Sequence, residues 1–484
     1  MKNLIITLFT MCLCAFYSFS QIQIGNDIYG EAAEDNLGAC VSLSSDGSFV
    51  AVGAPFKNNY TGMVRVYENL NGIWSQIGNA IYGESESVYF GHAISLSSDG
   101  SVMAVGAFLG SNFGRVRIFK YTGGDWTQIG NGIDGQSGDT FFGYSVSLSA
   151  DGRMVAIGAP SNLLIGLVDS HIRIYENIQG VWTQIGNDIM GDSNFDMKGW
   201  SLSLSDDGSK LAIGAPGSNV TGDFSGMVTV YEKTEDDWTS IGNTINAENE
   251  GDFFGNSVSL SGDGNTVAIG APGFDSSYDW GYVQIYKNSS GIWTQLGNRI
   301  EAHTVDDRLG CSVSLSSDGS LVAIGAAGDD SHGTDAGLVR IYRNISGIWT
   351  QIGNVIAGES PNSNLGACVN ISSDGRTVAV GAPSNDTYLE NSGQVKIFDL
   401  SALLSTQEYI KPEVKVYPNP TSQELNIELN QRAELQCVNL HNALGQIVMS
   451  GKELRVDVSH LKSGLYFIQV ITKNGKITKR VIIN

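Results

Sequence analysis

Phe254-Gly255-Asn256-Ser257-Val258-Ser259-Leu260-Ser261-Gly262-Asp263-Gly264-Asn265-Thr266-Val267-Ala268-Ile269-Gly270-Ala271-Pro272 decides how this chain is read. It continues into Gly281-Tyr282-Val283-Gln284-Ile285-Tyr286 and Trp293-Thr294-Gln295-Leu296-Gly297-Asn298. Nearly everything else before residue 400 is a copy of this pattern. Its Asp-Gly pair recurs with the aspartate at Asp46, Asp99, Asp151, Asp207, Asp263, Asp318 and Asp374, in steps of 52 to 56 residues. A period of that size marks a repeat architecture.

One period reads as four short strands. Ser257 to Ser261 alternates polar and apolar residues, the mark of a strand with one buried face, and Ser261-Gly262-Asp263-Gly264 turns the chain with residues that tolerate positive φ. Val267 to Gly270 is a short apolar run suited to an inner strand covered on both faces. Val283 to Tyr286 is a third strand, and Ile292 to Leu296 is a fourth that carries the Trp. Four strands per repeat describe the blade of a β-propeller, which buries its faces by stacking on its neighbours.

Counting elements separately predicts how the ring closes. Seven Asp-Gly turns and seven third strands, beginning at Val64, Val116, Ile172, Val228, Val283, Val339 and Val395, are matched by seven fourth strands ending in Ile/Leu-Gly-Asn. Six of those follow Trp74, Trp126, Trp182, Trp238, Trp293 and Trp349; the seventh is Gln21-Ile22-Gln23-Ile24-Gly25-Asn26, at the other end of the chain. The last repeat is therefore one strand short and the N-terminus has one spare. The expected fold is all-β: a seven-bladed β-propeller over residues 21–400, closed by the N-terminal strand, which also covers a sheet edge.

Residues 1–20 read as a secretory signal, with Lys2 as the positive start, Leu4 to Phe16 as the apolar core and cleavage expected between Ser20 and Gln21. A lipoprotein reading through Cys14 is weaker, because Leu13 stands where a small residue is wanted. The core is too short to span a bilayer, so no membrane span is expected in the mature chain. That chain holds four cysteines, Cys40, Cys311, Cys368 and Cys437. Cys40 and Cys368 take matching positions in the first and last blades, where a disulfide is conceivable, but matching positions on adjacent blades usually exceed disulfide reach and buried free thiols are the expected state. The histidines, His92, His171, His303, His332, His441 and His460, show no metal-ligand spacing.

Charge divides the chain. Residues 1–406 carry 18 Lys and Arg against 43 Asp and Glu, whereas residues 407–484 carry 10 against 7. An acidic propeller argues against nucleic acid or an anionic membrane as partner.

Strand order sorts the loops. In a four-stranded antiparallel blade the 2–3 loops and the connections from strand 4 to the next strand 1 share one face of the disc. Here these are variable and polar, at Phe56 to Thr61, Ser161 to Ser170, Gly217 to Ser225, Gly273 to Trp280, Gly328 to Asp335 and Ser384 to Asn391, with acidic connections at Glu31 to Asn36 and Glu248 to Asp252. Variable loops on a rigid scaffold are where binding usually sits; drift of ordinary surface loops would leave the same pattern.

The repeat resembles the FG-GAP repeat of integrin α-chain propellers and their bacterial relatives, through Phe254-Gly255, Asp263-Gly264, Gly270-Ala271-Pro272 and Gly281-x-Val-x-Ile-Tyr. Phe90-Gly91 and Phe142-Gly143 repeat the first element, as do Leu37-Gly38, Leu309-Gly310 and Leu365-Gly366 with Leu for Phe. That family's calcium loop presents several carboxylates, because Ca²⁺ takes six to eight oxygen ligands. The corresponding loop here, Ser42 to Val50, keeps only Asp46, and Asp206-Asp207 is the one doubled case. Calcium sites are therefore not carried over, and no cofactor is expected.

Residues 401–412 read as a linker and 413–484 as a small β-sandwich with its own strand pattern. This tail resembles the C-terminal sorting domain of the type IX secretion system of Bacteroidetes. The matching residues are Val416-Tyr417-Pro418-Asn419-Pro420-Thr421, Asn442-Ala443-Leu444-Gly445-Gln446-Ile447-Val448, Leu461-Lys462-Ser463-Gly464-Leu465-Tyr466-Phe467-Ile468 and Lys479-Arg480-Val481-Ile482-Ile483. His441-Asn442 stands where the family often has Tyr-Asp. The resemblance implies passage through the periplasm and outer membrane by the type IX machinery, then release or anchoring at the surface.

Three functions remain in view. The first is a secreted or cell-surface binding or adhesion module, whose loop face would contact an extracellular protein or glycan. The second is a secreted polysaccharide-acting enzyme with its site in the propeller funnel. That would need residues special to one or two blades, and the candidates are His171, Trp200, Asp279 with Trp280, and Asp306-Asp307 with Arg308. None of these has nucleophile–base or paired-carboxylate spacing, so no catalytic residue is assigned. The third is a structural spacer.

Overall fold

The computed structural model describes residues 20–484 except 111–112, 138, 162–169, 194, 274–280, 405–413, 430–434, 444 and 473–474. The expected leader up to residue 19, together with Asp279 and Trp280, lies outside the described residues. The chain divides into two compact units, Met1–Leu403 and Leu404–Asn484.

The first unit holds seven antiparallel sheets among the described residues. The fifth is typical, with Ser257–Leu260, Thr266–Ala271, Tyr282–Ser289 and Ile292–Gln295 laid side by side in chain order. The first strands of the seven are Cys40–Leu43, Ala93–Leu96, Ser145–Leu148, Ser201–Leu204, Ser257–Leu260, Leu309–Leu315 and Cys368–Ile371. Each lies against the next, and the last lies against the first, so the sheets form a closed ring. The edge of the last sheet is covered from the N-terminus: Ile22 and Gln23 pair with Asp399 and Phe398, and Ile28 and Tyr29 pair with Val395 and Gln394.

Second strands are the most buried, because their sheets are covered on both faces. Val267, Ala268, Ile269 and Ala271 have no exposed surface, and each such Val or Ile contributes about 1.5–3 kcal/mol of transfer free energy.

A feature beyond four strands per repeat is a short return to the third strand, at Ile133–Asp134, Ile189–Met190, Ile245–Asn246 and Ile300–Glu301. The glycine of Ile/Leu-Gly-Asn lies at positive φ in every copy, from Gly25 at 70° to Gly353 at 68°. It kinks the fourth strand away, and the isoleucine that follows swings back into the core. A second difference concerns the expected linker, 401–412. Ser401–Leu404 is a short helix, and the buried Leu403 packs against Gly353, so apolar contact ties Leu403 to the ring.

Neighbouring sheets are joined at four levels. Near the channel the middle serine of the first six first strands accepts an amide proton from the next sheet, as in Ser42 from Leu96 at 3.0 Å, Ser203 from Leu260 at 2.9 Å and Ser314 from Ile371 at 3.0 Å. At one mouth the hairpin turns form a circle of backbone hydrogen bonds, from Ser45 to Ser98 (2.9 Å) around to Asp374 and back to Ser45 (3.2 Å). The Asp206 carboxylate reaches past Gly262 and accepts Ser317 Oγ–H at 2.7 Å.

At the third level the Gly of Gly-Ala-Pro meets the Gly of Phe-Gly on the next sheet. A Cβ on Gly53, Gly214 or Gly381 would fall well inside contact distance of the carbonyl oxygen of Gly91, Gly255 or Gly38. At the rim Trp74, Trp182, Trp293 and Trp349 donate Nε1–H to the carbonyls of Ile24, Ile129, Ile241 and Leu296 on the preceding sheet. The seam between the sixth and seventh sheets has no Trp. Gln21 takes its place, donating Nε2–H to Asn354 O at 2.7 Å and accepting Asn354 N–H at 3.0 Å.

The second unit has a three-stranded sheet (Val414–Tyr417, Glu424–Leu429, Arg455–Asp457) and a four-stranded sheet (Leu435–Asn442, Ile447–Gly451, Gly464–Thr472, Gly475–Ile483). Leu425, Ile427, Leu440, Ile468, Val470 and Val481 are buried in one core, an arrangement of two packed sheets. Among the described residues no helix is long and apolar enough to cross a membrane.

Candidate binding face

The Asp-Gly turns are occupied by their own hydrogen bonds. Asp263 Oδ1 accepts Ser261 Oγ–H at 2.6 Å and Asn265 N–H at 2.9 Å, while Ser261 Oγ accepts Thr266 N–H at 2.9 Å. The same pattern holds Asp46, Asp99, Asp207, Asp318 and Asp374. Burial alone would raise the Asp263 carboxyl, but the Ser261 and Asn265 hydrogen bonds outweigh it and hold it below its ordinary value. Among the described residues no group of three or more His, Cys, Asp or Glu is arranged to hold a metal ion.

The opposite face is built differently. Two residues before each first-strand glycine the backbone enters the left-handed region, at Asn36 (φ 51°), Tyr89 (58°), Phe141 (54°), Met197 (54°), Phe253 (53°), Arg308 (52°) and Asn364 (51°). Asparagine suits that conformation. Tyr, Phe, Met and Arg do not, and each costs about 1–2 kcal/mol to hold there.

A second set of left-handed residues meets them from the 2–3 loops. Tyr60 O accepts Tyr89 N–H at 2.8 Å, Phe224 O accepts Phe253 N–H at 3.1 Å, Asp335 O accepts Asn364 N–H at 3.0 Å and Asn391 O accepts Asn36 N–H at 3.0 Å. The backbone pairing is common to these seams; the side chains are not.

Over the first four sheets they make a continuous aromatic arc. Phe56 lies 5.2 Å from Tyr60 and Tyr60 stacks on Tyr89 at 5.0 Å; Tyr89 reaches Phe108 at 5.2 Å, Phe108 reaches Phe141 and Tyr144 at 5.3 Å, and Tyr144 meets Trp200 at 4.5 Å. Tyr60 is 43% and Phe56 37% exposed. His92 sits inside the arc, 4.6 Å from Phe108 and 4.7 Å from Tyr144. Desolvation pushes its imidazole down to about 4, so it is neutral at pH 7. Phe224 and Phe253 stack separately at 5.4 Å. Beyond them the face turns polar, with Arg308 paired to Asp335 at 3.1 Å and asparagines at the matching positions. Beside the fourth sheet an open cleft of about 550 Å³ is lined by Asp192, Ser193, Ser218, Asn219, Val220, Met227, Thr244 and Asn246.

The residues singled out for chemistry are scattered and engaged. His171 Nε2 lies 3.1 Å from Asp139, which Arg173 also holds at 2.7 Å. Burial would raise the Asp139 carboxyl, but the adjacent His171 ring and the hydrogen bonds from Arg173 hold it far below its usual range. Asp307 accepts the amides of His303 and Thr304 at 3.1 and 3.0 Å. Trp200 alone joins the arc. Its partners come from separate repeats, which no local pattern reveals.

In the tail, Asn419 clamps the terminal strand, donating Nδ2–H to Arg480 O at 2.9 Å and accepting Ile482 N–H at 2.8 Å. It sits in the segment Tyr417, Pro418, Asn419, Pro420. Gly445 turns the chain at φ 81°, Gly464 and Lys479 lie on paired strands, and Tyr466 Oη–H donates to Lys462 O at 2.9 Å.

Residues 246–286 match the FG-GAP repeat family, and residues 415–484 match the secretion system C-terminal sorting domain. The chain thus carries an FG-GAP propeller repeat and a type IX sorting domain, which marks it for export to the cell surface or beyond. No curated protein sequence matches it. Its fold is similar to that of Kuenenia stuttgartiensis hydrazine synthase, with 12% identity and TM-score 0.50 over 77% of this chain and 97% of that one. It is similar also to a Bacteroides uniformis protein provisionally assigned as a 6-phosphogluconolactonase, with 12% identity and TM-score 0.50 over 69% and 89%. At that identity the likeness describes a propeller fold alone.

Proposed function

We propose that this exported chain is a binding module whose aromatic arc receives a glycan, with the propeller serving as a rigid mount. The carrying observation is that Tyr89 and Phe141 are held in left-handed backbone, where asparagine stands in the first and last sheets. Strain persists where the surroundings over-determine it, and it concentrates at ligand sites. Aromatic faces stack on the C–H faces of sugar rings, and the cleft beside the fourth sheet offers hydroxyl and amide groups of the kind that bind sugar hydroxyls. The type IX machinery is the partner in export. Neither a catalytic group nor a cofactor is assigned, calcium included.

The test is a screen of the purified exported protein against glycan and matrix-protein arrays, with calcium and with chelator. Saturable glycan binding is expected, equal in both conditions. Tyr89→Asn separates binding from packing: it relieves the backbone and removes one ring of the arc. Binding should fall at least tenfold while the melting temperature holds or rises. Binding unaffected by Tyr89→Asn and Trp200→Ala would sink the assignment of the arc.

A further inference from the structure

Cys40 and Cys368 stand at the seam where the last sheet meets the first. They hold matching places, Cys40 opposite Gly53 and Cys368 opposite Gly381. At this place the side chain reaches the following sheet. Ser201 donates Oγ–H to Gly255 O at 2.8 Å and Ser257 donates to Gly310 O at 2.8 Å. Cys368 obeys the same geometry, so its sulfur lies against the first sheet and accepts Val41 N–H at 3.3 Å, one residue from Cys40. Cys40 Sγ donates to Ile94 O on the second sheet at 3.9 Å, and the two thiols lie close enough to shift each other's ionisation. General distances between blades favour separate thiols here; the direction of the Cys368 side chain brings its sulfur to the residue next to Cys40, and a rotation of the Cys40 side chain away from Ile94 would complete the approach.

We propose that Cys40 and Cys368 form a disulfide that joins the two ends of the ring once the chain has left the reducing cytoplasm. Exported proteins meet oxidising surroundings, and the oxidant required is another disulfide, on a small thiol or a thiol oxidase. The roles of the two sulfurs differ. The neighbouring Cys40 thiol and the Val41 amide hold Cys368 below the usual thiol range, whereas the nearby Cys368 and burial raise Cys40. The Cys368 thiolate attacks the oxidant's disulfide and releases one oxidant thiol. Cys40 gives up its proton and displaces the second oxidant thiol from Cys368. Two thiols become one disulfide, and the oxidant disulfide becomes two thiols. The bond would span nearly the whole ring, where closing a long loop restrains the unfolded chain most.

The exported full-length protein is alkylated under denaturing conditions without reductant and mapped by mass spectrometry. A Cys40–Cys368 linked peptide is expected, with Cys311 and Cys437 alkylated. Reductant should lower the melting temperature of the natural chain by several degrees and leave Cys368→Ser unmoved. Serine fills this place at Ser145, Ser201, Ser257 and Ser312, so that variant should fold; the peptide map holds even if it does not. Alkylation of all four cysteines after equilibration with oxidised glutathione, or linkage through Cys311 instead, would overturn the proposal.

Discussion

Asn370 Oδ1 accepts the amide proton of Leu43 at 2.8 Å, completing across the seam the contact that serine hydroxyls make between the other sheets. Asparagine reaches further than serine, and this is the join between sheets that are distant in sequence. Asn370→Ala should leave the Leu43 amide buried without its partner, at about 1–3 kcal/mol, read as a lower urea midpoint with an unchanged slope. An Asn370→Ala chain as stable as the natural one would show that ordered water replaces the side chain.

Gly381→Ala should prevent folding. Its Cβ would overlap the Gly38 carbonyl, and backbone on both sides leaves nothing flexible to give way. Gly72→Ala, with φ 87° but open space around it, should cost only about 1 kcal/mol through backbone strain. Circular dichroism melts of the pair compare overlap with strain directly.

Asp263→Asn should weaken the ring in a pH-dependent way. The carboxyl is held below its ordinary value in the folded chain, so its stabilisation is fully present above the unfolded pKa of about 3.9 and is lost as pH falls through the depressed folded value. The melting-temperature gap between natural chain and variant should be open at pH 7 and shut in strong acid. A gap of constant size would assign the cost to altered turn geometry.

His92→Phe should flatten the acid limb of stability. Burial lowers the imidazole to about 4, against about 6.5 when unfolded, so stability is complete above pH 6.5 and declines as pH falls towards 4, by up to about 3 kcal/mol. The Phe variant has no such proton to take up between pH 7 and 4. An unchanged decline there would place its origin elsewhere.

Much of the fold was legible because the repeat is both periodic and incomplete. The missing fourth strand after Val395 and the spare one at Gln21 pointed to each other, and the structure pairs Ile22 with Asp399. Other contacts were hidden by the same periodicity. Ser42 and Ser95 read as the polar half of a strand, yet each binds a neighbouring sheet, because in a ring the polar positions of inner strands face other strands. The arc was hidden for a related reason. Tyr60, Tyr89, Phe141 and Trp200 lie in different repeats, and the first three are turned by left-handed backbone, which asparagine would announce and tyrosine does not. Of the residues named for chemistry, Trp200 joins the arc, while His171 and Asp307 are engaged in buried contacts that compositional pattern does not disclose.

The pairing of Ile22 with Asp399 also sets an order in time. The first strand of the ring to be synthesised cannot find its place until nearly all the rest exists, and such distant pairings form slowly. In that interval the strand Gln394–Asp399 presents an unpaired edge, which neighbouring chains can extend. A molecule whose two ends have met has finished folding; one whose ends have not is still adhesive. Whatever delivers this chain to the outer membrane must therefore hold it apart from its copies until the seam has shut.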